Sequence, residues 1–211
     1  MSPTPSPEQF DELRDCIERE VAAGFLAADE IVETAIEMVE DAEALDAAML
    51  HAQAGRLTQQ ALHDHARAQA QWPATTDCDR LDTAFEALQA RGILARQNYS
   101  CCGSCGVAEI HAEIAAAEQE PARAIAGYVF YHAQDTEAAV EGYGVCLNYG
   151  AVADGEAAAL AIAREVVAVL HAHGLATQWD GTWSQRISVP LEWQRRRPAT
   201  TSPLPDADTP L

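Results

Sequence analysis

The run Asn98-Tyr-Ser-Cys-Cys-Gly-Ser-Cys-Gly106 puts three thiols into five positions. Cys102 and Cys105 are separated by two small residues, so both sulfurs can face one point if the backbone turns there. Two chemistries use that arrangement. Tetrahedral Zn²⁺ takes a Cys-x-x-Cys as half of its shell, with Zn–S bonds of about 2.3 Å. A Cys-x-x-Cys that follows a strand and opens a helix is instead the thioredoxin-type redox arrangement, where the helix N-terminus lowers a thiol pKa. A third possibility is a turn of packed thiols with no ligand. A zinc ribbon would carry a second Cys-x-x-Cys, and the chain has none. Any further ligands would therefore come from Cys78, His111, His132 or Cys101. A thioredoxin-type domain would also want a cis-proline strand after the motif, whereas Pro121 precedes the strand expected at Gly127.

Other residues weigh less. His132-Ala-Gln-Asp-Thr-Glu137 follows the strongest strand signal, a common place for a site in a mixed α and β protein. His132 is the best non-cysteine ligand or base; Asp135 would equally well cap the next helix, with Thr136 and Glu137 in its first turn. Thr76-Asp-Cys-Asp-Arg-Leu81 sets Asp77 and Asp79 near a thiol and Arg80, but fits a helix cap with an ion pair better than acid–base chemistry. His63-Asp-His65 has the look of a metal motif, yet i and i+2 diverge on a helix. Arg195-Arg-Arg197 is too short a basic run for nucleic acid.

These residues need elements to hold them. Residues 8–71 read as helical: Phe10, Leu13, Ile17 and Val21 form a stripe ending near Gly24. Asp29 can cap a second helix, and a third is expected from about Asp41 to Gln71, with Gly55 as a possible kink. Trp72-Pro73 marks a boundary. Beyond it the pattern predicts a helix from Asp77 or Asp79 to Arg91, a strand at Ile93–Ser100, and a short helix from Val107 to about Glu118. Strands follow at Gly127–His132 and Val145–Val152, then a helix at Glu156–His173. Leu175–Trp179 and Ile187–Trp193 predict a final pair joined around Asp180-Gly181, with Pro190 placing the last strand at an edge.

Composition narrows the function. The 211 residues carry 13 basic side chains against 33 acidic ones, a net charge of −20. Every basic residue is Arg, which excludes a P-loop lysine, a pyridoxal Schiff base and the kinase β3 lysine. Residues 8–71 hold fifteen acids and four arginines, about −11 of the total. So acidic a chain is no general nucleic-acid binder. The start lacks the features of a secretory signal, and no apolar run is long enough for a membrane span. Clustered thiols in such a chain suggest a reducing cytoplasm and metal or redox chemistry. Gly-x-Ser-x-Gly, Gly-x-Gly-x-x-Gly, His-Glu-x-x-His and EF-hand patterns are absent.

The strings Thr76-Asp-Cys-Asp-Arg-Leu81, Asn98-Tyr99 with Cys101-Cys102 and Cys105-Gly106, Gln134-Asp-Thr-Glu137, Tyr149-Gly150, Trp179-Asp-Gly181 and Arg186-Ile187 together resemble a bacterial domain-of-unknown-function family. The likeness is close over 72–197 and looser before it. It implies a bacterial cytoplasmic protein and supplies no mechanism.

The expected fold is α+β: a helical N-terminal lobe (8–71), then an α+β domain (72–197) with a roughly five-stranded mixed sheet. Segments 1–7 and 198–211 are expected to be disordered. The leading functional expectation is a binding or regulatory module with a mainly structural zinc held by Cys102 and Cys105, with Cys78 and His132 completing the shell. Arg80, Asp135 and Glu137 are the expected binding residues, and Asp135 or Glu137 would be the base if the metal kept an open position. One alternative is a thiol oxidoreductase or redox sensor, with Cys102 as nucleophile and Cys105 resolving. The other is a metal-free acidic module steered toward a basic protein partner.

Overall fold

The computed structural model describes residues 5–39, 42–117 and 124–198, so the expectations for the first four residues and for most of the tail lie outside the described residues. The fold is α+β, with helices at the N-terminal end and a mixed sheet after them. The chain forms two compact units, Pro73–Arg195 and a unit combining Met1–Trp72 with Arg196–Leu211.

The first unit is built on α1 (Pro7–Ala23), α2 (Ala28–Met38), a 3-10 turn (Ala42–Ala44) and α3 (Ala47–Gln69). Ser6 and Gln9 close a capping box on α1, so this helix begins inside the segment expected to be disordered. Ala27 rather than Asp29 precedes α2, and Asp46 caps α3, which runs through Gly55 without a break. Leu13, Ile17, Val21, Ile31, Leu50 and Leu62 meet in one core. Arg197 donates to the carbonyls of Glu20 at 3.4 Å, Val21 at 3.1 Å and Leu26, at and just beyond the end of α1.

The second unit runs α4 (Asp77–Ala90), β1 (Ile93–Arg96), α5 (Gly103–Ala117), β2 (Gly127–Phe130), α6 (Ala133–Val140), β3 (Val145–Ala151), α7 (Glu156–Ala172) and β4 (Ile187–Val189). The sheet order is β1-β2-β3-β4; β1 and β2 are parallel and the other pairs antiparallel. Parallel neighbours need a crossover, and α5 supplies it. On one sheet face Leu94, Tyr128 and Phe130 pack against Ile110 and Ile114 of α5. Strand alternation turns Gly127 to the other face, against Ile162 of α7. Gly106 lets α5 approach the sheet, since a Cβ there would stand 2.5 Å from the Phe130 ring.

Four strands form among the described residues, one fewer than expected. The segment 175–179 makes a single bridge, Gln178 to Ser188. Leu175 cannot extend it, because its N–H closes on the Leu170 carbonyl at the end of α7. At the other end Asp180 folds back on Thr182 and Gln185, and Pro190 has no N–H to continue β4. Among the described residues no helix is long and apolar enough to cross a membrane.

Candidate functional site

The residues Gln97–Cys102 link β1 to α5 along an unusual path. Asn98 and Ser100 both take left-handed backbone angles, at φ 49° and 61°. Such angles persist in non-glycine residues only where surrounding bonds impose them. Here Tyr99 N–H donates to Tyr131 O at 2.8 Å and Ala133 N–H to Ser100 O at 3.1 Å. The Thr136 hydroxyl donates to Asn98 Oδ1 at 2.8 Å, and the Ser100 hydroxyl to Glu109 at 2.9 Å. The loop is thereby pinned to the exit of β2 and to the first turn of α6.

This path delivers the thiols to the start of α5. The helix opens at Gly103, four residues before the expected Val107, so the cysteine motif forms its N-terminus. Gly106 N–H donates to Cys102 O at 2.9 Å, the first helical bond. The ligand atoms of Cys101, Cys102 and Cys105 lie within 4.8 Å of one another and could hold a metal ion. Cys101 and Cys105 are exposed and Cys102 half-buried; all six cysteines are free. Backbone and side-chain hydrogen bonds from Cys105 hold the Cys102 thiol below its ordinary pKa, helped by Cys101 and the Ser104 N–H. Its neighbours Cys101 and Cys102 push Cys105 the other way, to about 11.

Next to the thiols lies a polar group set by α6. His132 is the N-cap of that helix: its Nδ1 accepts from Asp135 N–H at 3.3 Å, while Asp135 Oδ2 accepts from His132 N–H at 3.2 Å. With Nδ1 accepting, the neutral ring carries its proton on Nε2, 3.1 Å from Asp135 Oδ2. Burial lowers the His132 pKa and Arg186 lowers it further, against the opposing pull of Asp135. Arg186 Nη1 donates to both Asp135 oxygens at 3.1 Å and to Cys146 O at 3.3 Å. The ring of His132 stands beside Gly103, 3.7 Å from where a Cβ would be. Gly103, Ser104, Val107, His132, Asn148 and Arg186 line an open cleft of about 620 Å³. An adjoining hollow of about 320 Å³ shares Val107, Asn148 and Arg186 and adds Tyr128, Tyr149 and Trp183.

The expected site residues are distributed as follows. Cys102 and Cys105 meet as proposed from their spacing, and the third sulfur is that of Cys101. Cys78 sits buried in α4, where desolvation pushes its thiol up to about 12 despite a bond with the Gln194 backbone. Neither Cys78 nor His132 belongs to the thiol group among the described residues. Asp135 is buried and acts as both cap and arginine partner; Glu137 is exposed. Arg80 pairs with Asp77 at 2.6 Å, and Thr76 caps α4. His63 makes an exposed pair with Asp64. Arg195 bonds Asp82 at 3.0 Å. The sequence reading missed Asn148 as a site residue and had no role for Arg186. They lie in β3 and just before β4, about 40 residues apart, and nothing local distinguishes them.

A family model described as a domain of unknown function (DUF6891) matches residues 6–197. No curated protein and no solved structure matches the chain.

Proposed function

We propose, for a chain that belongs to the DUF6891 family, that the Cys101–Cys102–Cys105 corner is a zinc-binding site in a ligand-binding or regulatory module. The observation that carries this reading is the convergence of three sulfurs within 4.8 Å. A dithiol needs only two. Tetrahedral zinc with Zn–S bonds of about 2.3 Å separates its sulfurs by about 3.8 Å, within the observed limit. Closed structural sites take four protein ligands, and this corner offers three, two of them exposed. The arrangement therefore favours a zinc with a position left for an outside ligand over the closed shell with Cys78 and His132. Bound there, the ion would supply Lewis acidity beside the cleft.

Elemental analysis of untagged protein, purified without chelator, tests this. About one zinc per chain is expected, lost in a Cys105→Ser variant that still folds. Metal-free protein with three reactive thiols would overturn it.

The second reading, dithiol exchange, is favoured by one observation: Cys102 sits at the α5 N-terminus with a lowered pKa and Cys105 has a raised one. In that step the Cys102 thiolate attacks a substrate disulfide and releases one substrate thiolate. Cys105, deprotonated, then displaces the second, leaving a Cys102–Cys105 disulfide and two electrons on the substrate. Reduction of one equivalent of a model disulfide by the reduced, metal-free protein, abolished in Cys102→Ser, is the expected result for this reading; unchanged reduction by that variant would remove it.

A further inference from the structure

The cleft beside the thiols has a chemistry of its own, set by how Arg186 and Asn148 are held. In a chain with 33 acidic residues, no Asp or Glu is among the described residues that line either the cleft or the adjoining hollow. The carboxylate that orients Arg186 belongs to Asp135, whose side chain is 7% exposed against 42% for the arginine. Every hydrogen bond that Arg186 donates to the described residues leaves through Nη1. Its Nε and Nη2 make no bond to the described residues, and they form the edge that grips a carboxylate or phosphate with two parallel hydrogen bonds.

Asn148, beside Arg186, carries a donor of its own without a partner. Its Nδ2 is shut off from solvent and has no hydrogen-bond partner among the described residues. Such a donor is costly to leave unsatisfied. Asn148 lines both spaces alongside Arg186, and the α5 N-terminus at Gly103 and Ser104 borders the same cleft. The adjoining hollow is walled by rings: Tyr149 and Trp183 meet edge to face at 6.2 Å, and Trp183 is half exposed. Tyr149 is fixed there, its hydroxyl shared between the Thr182 and Gln185 carbonyls at 3.0 and 3.1 Å. A few convergent polar groups beside a rigid aromatic wall is the anatomy of a small-molecule site.

We propose that this cleft binds a small organic oxyanion. Its carboxylate or phosphate is taken by the Nε–Nη2 edge of Arg186, and a flat ring packs against Trp183. The inference rests on the cleft and stands apart from the zinc reading.

Calorimetric titration of the full chain with benzoate and phenyl phosphate, and with benzyl alcohol as the neutral control, tests it. Each titration is run on protein as purified and after chelator treatment, so that an anion held by a metal is separated from one held by Arg186. Both anions are expected to bind at millimolar concentrations or below, before and after chelation, and more tightly than the control. The pair of anions also tells whether a planar carboxylate or a tetrahedral phosphate suits the site better. Arg186→Gln is expected to weaken anion binding at least tenfold. Asn148→Asp, which changes neither Arg186 nor Asp135 and sets a negative charge beside the anion, is expected to do the same should the first variant disturb the buried Asp135. Trp183→Ala should weaken both anions and control. Equal anion affinity in wild type and in a folded Asn148→Asp variant would overturn the proposal, as would wild-type binding that vanishes on chelation or fails to exceed the control.

Discussion

His132 is held in its neutral form by burial and by the guanidinium of Arg186, which together outweigh Asp135. The sign of the consequence follows from proton binding. Below about pH 6.5 the unfolded imidazole takes a proton that the folded one refuses until lower pH, so the unfolded state gains and stability falls. Above that pH both states are neutral and the effect vanishes. Thermal unfolding between pH 7.5 and 5.5 is expected to show this loss, and His132→Asn, which keeps an N-cap acceptor, should flatten it. A variant that follows the wild-type slope would show that His132 is not the source. The thiols divide in the same way, by surroundings. On chelator-treated protein at pH 8, iodoacetamide is expected to modify Cys102 quickly and to spare Cys78 until unfolding, as read by peptide mass spectrometry. Equal rates at the two would contradict the burial of Cys78. At this scale the sequence reveals what has a conspicuous type or spacing, such as the cysteine run and His132. Cys78 is one more thiol until α4 is packed, and Arg186 acquires its meaning only when Asp135 arrives from 51 residues away.

Among the elements, α5 decides where the thiols stand. Its first turn, Gly103-Ser-Cys-Gly106, has poor helix propensity, which is why local preference places the start later, at Val107. Two interactions outweigh preference: the Cys102 carbonyl accepting the first helical bond, and the seat of Gly106 on Phe130. Gly106→Ala separates them. Alanine favours the helix by about 1 kcal/mol, but the added Cβ would stand 2.5 Å from a ring carbon, and overpacking of this kind costs about 1–3 kcal/mol. Denaturant unfolding is expected to show a net loss, and a gain would mean that α5 is free to shift off the sheet. The sheet has four strands rather than the expected five for a related reason. Residues 175–179 alternate as a strand should, but the end of α7 claims Leu175 and the Asp180 turn claims the other side. Periodicity detects the preference of a segment and not the competing bonds at its ends.

For the whole molecule, charge is the largest fact the composition provides. A net charge of −20, with fifteen acids against four arginines in residues 8–71, imposes self-repulsion on the compact state. Screening lengths shrink from about 30 Å at 0.01 M salt to about 10 Å at 0.1 M. The unfolding midpoint is therefore expected to rise with sodium chloride over that range, and a flat response in calorimetry would show that local ion pairs already balance the surface. Arg197 answers some of this charge in the first unit, where it closes the end of α1 and pairs its backbone with Gln69 at 2.8 and 3.1 Å. Arg197→Ala is expected to destabilise that unit by about 1–3 kcal/mol, since part-buried carbonyls lose a charged donor; circular dichroism during urea unfolding would read it.

That contact also joins segments that are far apart in the sequence. Residues 73–195 form their unit from one uninterrupted stretch of chain, whereas the other unit draws on both sides of that stretch. The first helices receive bonds from an arginine more than 170 positions downstream of the carbonyls it reaches. A chain cut after residue 195 would thus keep the whole sequence of the second unit and lose this contact of the first, so the truncation acts on α1 rather than on the sheet it follows.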